Sequence, residues 1–450
     1  MSEGLDRLAA AIAAFAERYP GDAGARQPVH TVYGGAHLFR ADSARKLGDV
    51  ALRVLDAYAP TAAAFGRALG LDRRLARTVY GRVREKLMRE PVEDFRLDFE
   101  DGYGHRPDAE EDATARQAAS QVAAGLAAGS LPPFIGIRIK PLSRDLRARA
   151  VRTLELFLAT LLEESGGRLP PHFVVTLPKV VIPEQVAALA DLLADLESRH
   201  RLSGGALKLE LMVETPQALV GPDGRSPLPA MVDAARGRCV AAHFGVYDFT
   251  AALNITAAHQ RMRHPACDQA RRLLQLALAG TGVWLSDGAT TVMPVGPHRP
   301  APGKRLSARQ RAQNRAHVVR GWRLHYADVR HSLENAYYQG WDLHPAQLPT
   351  RYAALYAFFL EGLEAASVRL KTFVAKAGQA TLVGDVFDDA ATGQGLLNHF
   401  LRGLNCGAIT ESEALATGLT LDELASRSFL RILDARRSRL APAPGDGRVR

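Results

Sequence analysis

Acidic residues close several short apolar runs in this sequence. Asp98 and Glu100 alternate with apolar residues in the first of these runs, Glu214 ends the run LELMV, and Asp248 follows Gly-Val-Tyr. No His or Cys residues at metal-ligand spacing accompany them. Carboxylates without such partners suit a hard cation, and Mg²⁺ usually takes one or two carboxylates together with waters and substrate oxygens. The pattern therefore predicts a site for Mg²⁺, with Mn²⁺ as a possible substitute.

Basic residues close two further runs. Arg138 and Lys140 alternate with isoleucines in GIRIK, and Lys179 follows Pro178 at the end of the next run. A guanidinium group offers a planar fork to a carboxylate or an enolate oxygen. A divalent cation that polarises a keto group beside such a fork would stabilise an enolate. These residues therefore indicate the making or breaking of a carbon–carbon bond in a 2-oxo acid.

Each of these residues also has a structural interpretation. An acidic residue at the end of a strand often caps the next helix, and a single Arg or Lys residue there is often solvated. Five consecutive runs that end in charge favour a ligand site, because burying several charges costs several kcal/mol unless they pair or bind an ion. Thr215, directly after Glu214, and His344 are further candidates for substrate binding.

The general base is left open by the sequence. Asp342, His344, His243 and Asp287 are all candidates, since each lies in one of the last three β-rich runs. His243 precedes an apolar strand end and is more typical of a hydrogen-bonded core histidine. His344 precedes a proline and is more typical of a residue that shapes a turn.

Eight β-rich runs alternate with longer helical patterns. The runs are His30–Ala36, Phe95–Gly102, Phe134–Pro141, Phe173–Val180, Lys208–Thr215, Val240–Phe249, Gly282–Ala289 and Gly340–Leu348. Strands that alternate with helices predict a parallel sheet, and eight such units predict a closed (β/α)₈ TIM barrel. A doubly wound open sheet is the alternative. In a barrel the chemistry lies at the carboxyl ends of the strands, where these charged residues are found.

The chain is expected to form one catalytic barrel over residues 1–348, with additions. One predicted helix, Asp108–Ala128, begins with Asp108 as a candidate N-cap and Glu111 three residues later, which is a capping-box pattern. Residues 297–339 predict a helical insertion before the last strand, and 349–440 predict a helical C-terminal region. Residues 441–450 predict a disordered tail.

Composition excludes several classes of protein. The formal net charge of the 450 residues is +9, but the basic residues are scattered and no aromatic-interleaved basic stripe is present, so nucleic-acid binding is not expected. Three widely spaced cysteines (Cys239, Cys267 and Cys406) favour a reducing compartment. The first twenty residues lack a signal-peptide pattern, and no apolar run is long enough to span a membrane. A cytoplasmic enzyme is therefore expected.

Six of the runs, in this order, resemble motifs of the citrate lyase β-subunit and malyl-CoA lyase family. The resemblance extends more distantly to malate synthase, within the pyruvate/phosphoenolpyruvate-type barrel superfamily that includes the HpcH/HpaI aldolases. The matching segments are LDFEDG, GIRIK, LPKV, LELMVET, FGVYDF and WDLHPAQL, which together span roughly residues 31–348.

The resemblance implies roles for particular residues. Glu214 and Asp248 fall on the family's magnesium ligands, and Arg138 falls on its substrate-binding, enolate-stabilising arginine. Asp98 and Glu100 fall on the acidic pair that orders the waters of the metal.

Two lysines extend these implied roles. Lys179 resembles the lysine of the fourth strand, close to the substrate. Lys140 is a candidate for substrate binding, although it stands where the family pattern has an Asn-type neighbourhood.

The activity implied is that of a Mg²⁺-dependent carbon–carbon lyase or aldolase acting on a 2-oxo acid or a hydroxy-acyl substrate. A malate-synthase-like condensation of glyoxylate with an acyl-CoA is one alternative, although no CoA-binding feature is recognisable. A non-catalytic basic binding or regulatory protein on the same fold is another. The family tends to form trimers or hexamers, so the resemblance also implies a homo-oligomer.

Overall fold

The computed structural model describes residues 3–22, 24–375, 381–383, 386–388 and 390–440, so the predicted disordered tail lies outside the described residues. Eight parallel strands form a closed barrel in which each strand pairs with the next and the last with the first. The strands are β1 (His30–Gly35), β2 (Asp94–Asp98), β3 (Phe134–Arg138), β4 (Phe173–Leu177), β5 (Lys208–Val213), β6 (Cys239–Phe244), β7 (Trp284–Ala289) and β8 (Gln339–Asp342). The predicted TIM barrel is confirmed, and the open-sheet alternative is wrong.

Helices precede, connect and follow the strands. Those up to the last strand are α1 (Glu3–Arg18), α2 (Ser43–Tyr58), α3 (Ala62–Leu69), α4 (Arg73–Arg89), α5 (Asp108–Ala128), α6 (Arg147–Glu164), α7 (Pro183–Arg199), α8 (Pro216–Leu219), α9 (Leu228–Ala234), α10 (Val246–Ala252), α11 (Pro265–Leu278) and α12 (Ala308–Glu334). Helix α13 (Leu348–Leu360) follows β8. No helix in the described part of the chain combines the length and the apolar character that crossing a membrane requires.

Several strands end before the predicted runs do. Strand β2 ends at Asp98 and β3 ends at Arg138, so Glu100 and Lys140 belong to the loops that follow them. Strand β6 ends at Phe244, and Asp248 lies in the first turn of α10. Because a loop residue is not fixed by the pleat of the sheet, its side chain can turn over the mouth of the barrel or away from it.

The segment before β8 contains one long helix, whereas residues 297–307 of the predicted helical insertion are not helical. Its 27-residue helix α12 connects two parallel neighbours, β7 and β8, and so provides the crossover that a parallel pair needs. The helix begins with a capping box in which Ser307 accepts a hydrogen bond from the Gln310 amide at 3.2 Å. The buried Trp322 indole donates to the Ala346 carbonyl at 2.8 Å, which ties α12 to the segment after β8.

The capping-box prediction at the start of α5 is wrong. The helix begins at Asp108, its N-cap position is Pro107, and no side chain of the described residues caps it. The Glu111 carboxylate is fully buried and accepts bonds from Lys140 Nζ at 2.7 Å and Thr153 Oγ1 at 2.6 Å. Glu111 therefore pairs with Lys140, in the loop after β3, and does not form the predicted hydrogen bond to the backbone at the start of α5.

The interior of the barrel contains a buried ion pair. Arg96 donates through Nε and Nη2 to the two carboxylate oxygens of Glu210, at 2.7 Å each. The Thr176 hydroxyl and the His243 ring bond the same carboxylate. Both charged groups are almost fully buried, and such pairs persist where every remaining hydrogen-bonding position is satisfied.

The chain divides into two compact units, Met1–Ala23 with Pro28–Ala354, and Gly24–Gln27 with Leu355–Arg450. The first unit contains the barrel. The elements of the second unit after α13 are α14 (Leu363–Ala375), β9 (Thr381–Val383), β10 (Val386–Asp388), α15 (Ala390–Asn405), α16 (Glu411–Leu415), α17 (Leu421–Ala425) and α18 (Phe429–Leu440). Strands β9 and β10 form an antiparallel pair.

Candidate active site

Asp98 and Arg138 form a two-pronged ion pair at the ends of β2 and β3. Arg138 Nε donates to Asp98 Oδ1 at 2.7 Å, and Nη2 donates to Oδ2. The backbone amides of Glu100 and Gly102 donate to the same carboxylate at 2.9 and 2.7 Å. Asp98 therefore fixes both the arginine fork and the loop that follows β2. Arg138 Nη1 remains directed towards Glu100, 3.1 Å from its Oε2 atom.

Lys179 joins the loops after β2 and β6. Its ammonium group contacts Glu100 and lies 3.6 Å from Asp101 Oδ1 and from Asp248 Oδ1. Burial lowers the pKa of Lys179, but the carboxylates of Glu214 and Glu100 outweigh burial and raise the pKa above its ordinary value. Lys179 is therefore a cation at neutral pH.

Glu214 follows the end of β5 and is only 1% exposed. Its Oε1 atom accepts a bond from the backbone amide of Lys179 at 2.7 Å. Burial raises the pKa of Glu214 to about 8; Lys179 opposes this effect, and Asp248 and Glu100 add to it. A Cβ atom at Gly245 would lie 2.4 Å from the Glu214 Cβ atom, so glycine is required for the start of α10 to approach this carboxylate.

The balance of charge at the mouth fits a divalent cation. Five carboxylates meet two cations here: Asp98, Glu100, Asp101, Glu214 and Asp248 against Arg138 and Lys179. The buried Oε2 atom of Glu100 lies 3.1 Å from Arg138 Nη1 but makes no well-aligned hydrogen bond to any described residue. The donor atoms are all oxygens, which suits Mg²⁺. Within the described residues, no group of three or more His, Cys, Asp or Glu side chains is arranged to hold a metal ion.

The structure does not bring Lys140 to this cluster. Its Nζ atom donates to the Phe99 carbonyl and to Glu111, both at 2.7 Å, and the side chain is buried. These contacts hold the β2 loop against α5. The observed role of Lys140 is therefore to support the loop that carries Glu100.

Replacing Lys140 with methionine is expected to destabilise the protein by about 3 kcal/mol, because Glu111 is left as a buried charge without its main partner. Adding Glu111→Gln should recover part of the loss. Thermal unfolding of the single and double variants measures both effects, and Lys304→Met, which alters an exposed lysine, is the control. A variant that keeps its unfolding temperature but loses substrate affinity would instead support a binding role.

Thr215 and His344 both act as helix caps. Thr215 Oγ1 accepts from the Ala218 amide at 3.3 Å, and His344 Nδ1 accepts from the Ala346 amide at 3.1 Å. Because Nδ1 of His344 is an acceptor, the proton of the neutral ring is on Nε2. Burial lowers the pKa of His344, which keeps the ring neutral near pH 7. His344 is therefore placed as a hydrogen-bond donor rather than as a base.

The other three candidates for the base have structural partners. His243 Nδ1 accepts from the Trp341 indole at 3.1 Å, so its Nε2–H donates to Glu210. Asp287 binds the Arg271 guanidinium at 2.8 Å. The remaining candidate, Asp342, accepts bonds from His30, His325 and Arg351. The structure thus explains all three side chains without catalysis.

Two aromatic residues at the end of β1 were not singled out by the sequence analysis. The Tyr33 ring lies under the Arg138 guanidinium, with the ring centroid 4.9 Å from Arg138 Cζ. The Tyr33 hydroxyl is buried without a hydrogen-bond partner in the described chain. His37 lies beside the loop after β2, with its ring 5.5 Å from that of Tyr103. The only sequence signal is the position of YGGAH at the end of the first predicted strand, where loop residues of a barrel meet.

Glu214 is expected to make the metal-free protein less stable as the pH rises. The pKa of Glu214 is about 8 in the folded chain and 4.5 ordinarily, so between these values the folded state keeps a proton that the unfolded state releases. The free energy of unfolding should therefore fall by about 1 kcal/mol per pH unit across this window. Denaturant titrations between pH 5 and 8 with chelator test this, and Glu214→Gln should flatten the slope. Equal slopes in both proteins would contradict it.

A family model described as a domain of unknown function (DUF6986) matches residues 8–432, and no curated protein matches the sequence. Among solved structures, a citrate lyase from Burkholderia xenovorans LB400 is similar at 18% identity, with a TM-score of 0.55, covering 87% of this chain and 97% of that chain. Haloferax volcanii malate synthase in a lead(II) complex matches at 13% identity with a TM-score of 0.47, covering 91% of this chain and 98% of that chain. Mycobacterium tuberculosis CitE, complexed with magnesium, acetoacetate and coenzyme A, matches at 16% identity with a TM-score of 0.47. The match covers 85% of this chain and 99% of that chain. The chain belongs to the DUF6986 family, and its fold is that of the solved citrate lyase.

Proposed function

We propose that this protein is a Mg²⁺-dependent carbon–carbon lyase that acts on a 2-oxo acid or a hydroxy-acyl substrate. The observation that carries the proposal is the buried carboxylate of Glu214, whose pKa is raised to about 8 beside Asp248 and Lys179 at the carboxyl end of the strands. Strongly perturbed carboxylates in a polar cluster at a barrel mouth are typical of functional sites.

Glu214 and Asp248 are the residues proposed to hold the cation. Glu214 is buried and held in place by the Lys179 amide, whereas the Asp248 side chain is 42% exposed and can adjust to a ligand. When bound, the cation supplies Lewis-acid polarisation of the substrate's keto oxygen. Mg²⁺ bound by one or two carboxylates usually also takes water and substrate oxygens as ligands.

Arg138 is proposed to bind the oxygen that becomes negative when the carbon–carbon bond breaks. Asp98 holds the guanidinium through Nε and Nη2, which leaves Nη1 as the edge directed at the acidic cluster. A donor that is already fixed does not reorganise as charge develops, and such preorganised donors contribute strongly to catalysis. The Tyr33 ring beneath the guanidinium limits its movement further.

Lys179 is proposed to act as a cation and proton donor rather than as a base. Its raised pKa keeps the ammonium protonated, and its Nζ atom lies among the carboxylates of Glu100, Asp101 and Asp248. A bound substrate carboxylate would find its positive partner here. The ammonium group would also be the proton donor to an enolate bound in this cluster.

Proton exchange in pyruvate tests the proposal. In D₂O, the reverse of the donation proposed above transfers a C3 proton of pyruvate to the small neutral fraction of the Lys179 amine. Return of a deuteron from the exchanged ammonium group to that carbon introduces deuterium, which proton NMR records as loss of the methyl signal. Mg²⁺-dependent exchange is the expected result. Calorimetry that shows no Mg²⁺ or Mn²⁺ binding in the presence of pyruvate, oxaloacetate or glyoxylate would refute the proposal. Binding of metal and oxo acid without exchange or cleavage would support a regulatory protein on this fold.

A further inference from the structure

Helix α1 carries a continuous apolar stripe that faces solvent. Its large apolar side chains are separated by alternating steps of three and four residues, and within the described chain no residue of α1 is buried. The stripe consists of Leu5 (53% exposed), Leu8 (53%), Ile12 (59%) and Phe15 (65%) on α1, and it continues to Tyr19 (36%), one residue beyond the end of the helix. An isolated helix of this length is marginal in water, and most helical stability comes from packing of the apolar face. The stripe therefore needs a covering surface.

The end of α1 is fixed to the barrel. Arg18 forms an exposed ion pair with Asp233 at 3.1 Å, and the Gly21 amide donates to the Gly280 carbonyl at 2.8 Å. The ring of Phe15 packs on that of Tyr19 with centroids 4.8 Å apart, which organises the last part of the stripe. The helix is thus anchored at one end with its apolar face presented outwards.

The spacing fits a second helix of the same kind. Steps of three and four residues place the side chains at the a and d positions of a heptad, whose knobs insert into the holes of a facing helix. The flanking positions are small residues, namely Gly4, Ala9, Ala11 and Ala16. Small flanking residues allow two helix axes to approach to the short end of the usual 8–10 Å range, at roughly 8 Å. The stripe is consequently complementary to itself.

The charges of α1 favour an antiparallel partner over a membrane. The first turn contains Glu3 and Asp6, and the last turn contains Glu17 and Arg18, whose charges balance. An antiparallel copy keeps the two acidic first turns apart and opposes the helix dipoles, whereas a parallel copy places the two acidic turns side by side. Helices that lie on membranes are rich in Lys and Arg on their polar face, but α1 has three acidic and two basic residues.

We propose that α1 pairs with α1 of a second copy of this chain in an antiparallel arrangement and so forms a two-fold dimer interface. The two barrels are then joined through their N-terminal helices. The interface does not depend on the proposed lyase activity.

Sedimentation of the full chain at micromolar concentration tests the proposal. The expected mass is twice the 48.6 kDa of one chain. Ile12→Glu places a charge in the seam and should weaken the dimer by at least about 100-fold, giving a monomer. Leu276→Glu is the matched control, since Leu276 is 81% exposed on α11 and lies outside the stripe, and it should leave the mass unchanged. Circular dichroism checks that both variants remain folded.

Cysteine pairs test the orientation. An equimolar mixture of Leu5→Cys and Tyr19→Cys chains should cross-link between the two variants on oxidation, whereas Leu5→Cys alone should not. A monomeric wild-type protein, an oligomer whose mass Ile12→Glu leaves unchanged, or efficient cross-linking of Leu5→Cys with itself would each overturn the proposal. Flotation of a monomeric protein with lipid vesicles would assign the stripe to a membrane surface instead, and would overturn it as well.

Discussion

Replacing Glu214 with alanine should abolish Mg²⁺-dependent proton exchange in pyruvate while the barrel stays folded. The carboxylate is buried at the mouth, and we propose that it is one of only two protein ligands of the cation. Loss of such a ligand should reduce metal affinity by more than the roughly 10- to 100-fold that is typical when a hydrogen-bond partner of a ligand is lost. The fold should tolerate the change, because in the metal-free protein Glu214 is a destabilising buried acid near neutral pH.

Calorimetry of Mg²⁺ binding and the exchange rate measure the two consequences of Glu214→Ala separately. Glu163→Ala, which removes an exposed carboxylate from α6, is the control for the loss of one negative charge. Wild-type affinity for Mg²⁺ in Glu214→Ala would exclude Glu214 as a ligand. Lost exchange with retained affinity would instead place Glu214 among the groups that move protons.

The barrel could be predicted because its strands are apolar runs of the right length that alternate with helical patterns. Parallel strands buried on both faces give nearly continuous apolar sequences, as in FVVTL of β4. The clustering of Asp98, Arg138, Glu100 and Lys179 could also be expected, because the carboxyl ends of neighbouring strands meet at one edge. The side-chain contacts at this edge agree with the order of the charged runs.

Contacts between distant segments could not be predicted in the same way. The pattern around Asp108 and Glu111 predicts a local cap, but Glu111 is used by Lys140, which lies in another loop. Leaving a buried charge without its partner costs more than losing a helix cap, and the local sequence pattern contains no information about the partner. This one contact explains both the failed capping box and the absence of Lys140 from the candidate site.

The partners of the polar residues inside the barrel could not be predicted from the local sequence either. Arg96 and Glu210 are separated by 114 residues in sequence and meet across the barrel. Each was visible as a charged residue inside an apolar run, but nothing in the run identifies its partner. The tautomer of His243 likewise depends on the Trp341 indole and on Glu210, which lie on different strands. The structural role of His243 could therefore be identified only from the three-dimensional structure.

Replacing Arg138 with lysine should reduce the exchange rate by roughly 10²- to 10³-fold, the usual cost of losing one preorganised donor to a developing oxyanion. An ammonium group cannot bond both oxygens of Asp98 in a plane and also direct a third N–H towards the acidic cluster. The loss should appear mainly in kcat, because the interaction strengthens as the oxygen becomes negative.

The control is Arg236→Lys, which alters an exposed arginine paired with Asp191 on the helical surface and should leave the exchange rate unchanged. Mg²⁺ affinity should also be close to that of the wild type in Arg138→Lys, since Glu214 and Asp248 are intact. Exchange at the wild-type rate would exclude the proposed role of the guanidinium. A change confined to KM would show that Arg138 binds the substrate equally in its ground state, and the stabilisation of charge would then have to come from Lys179 and the cation.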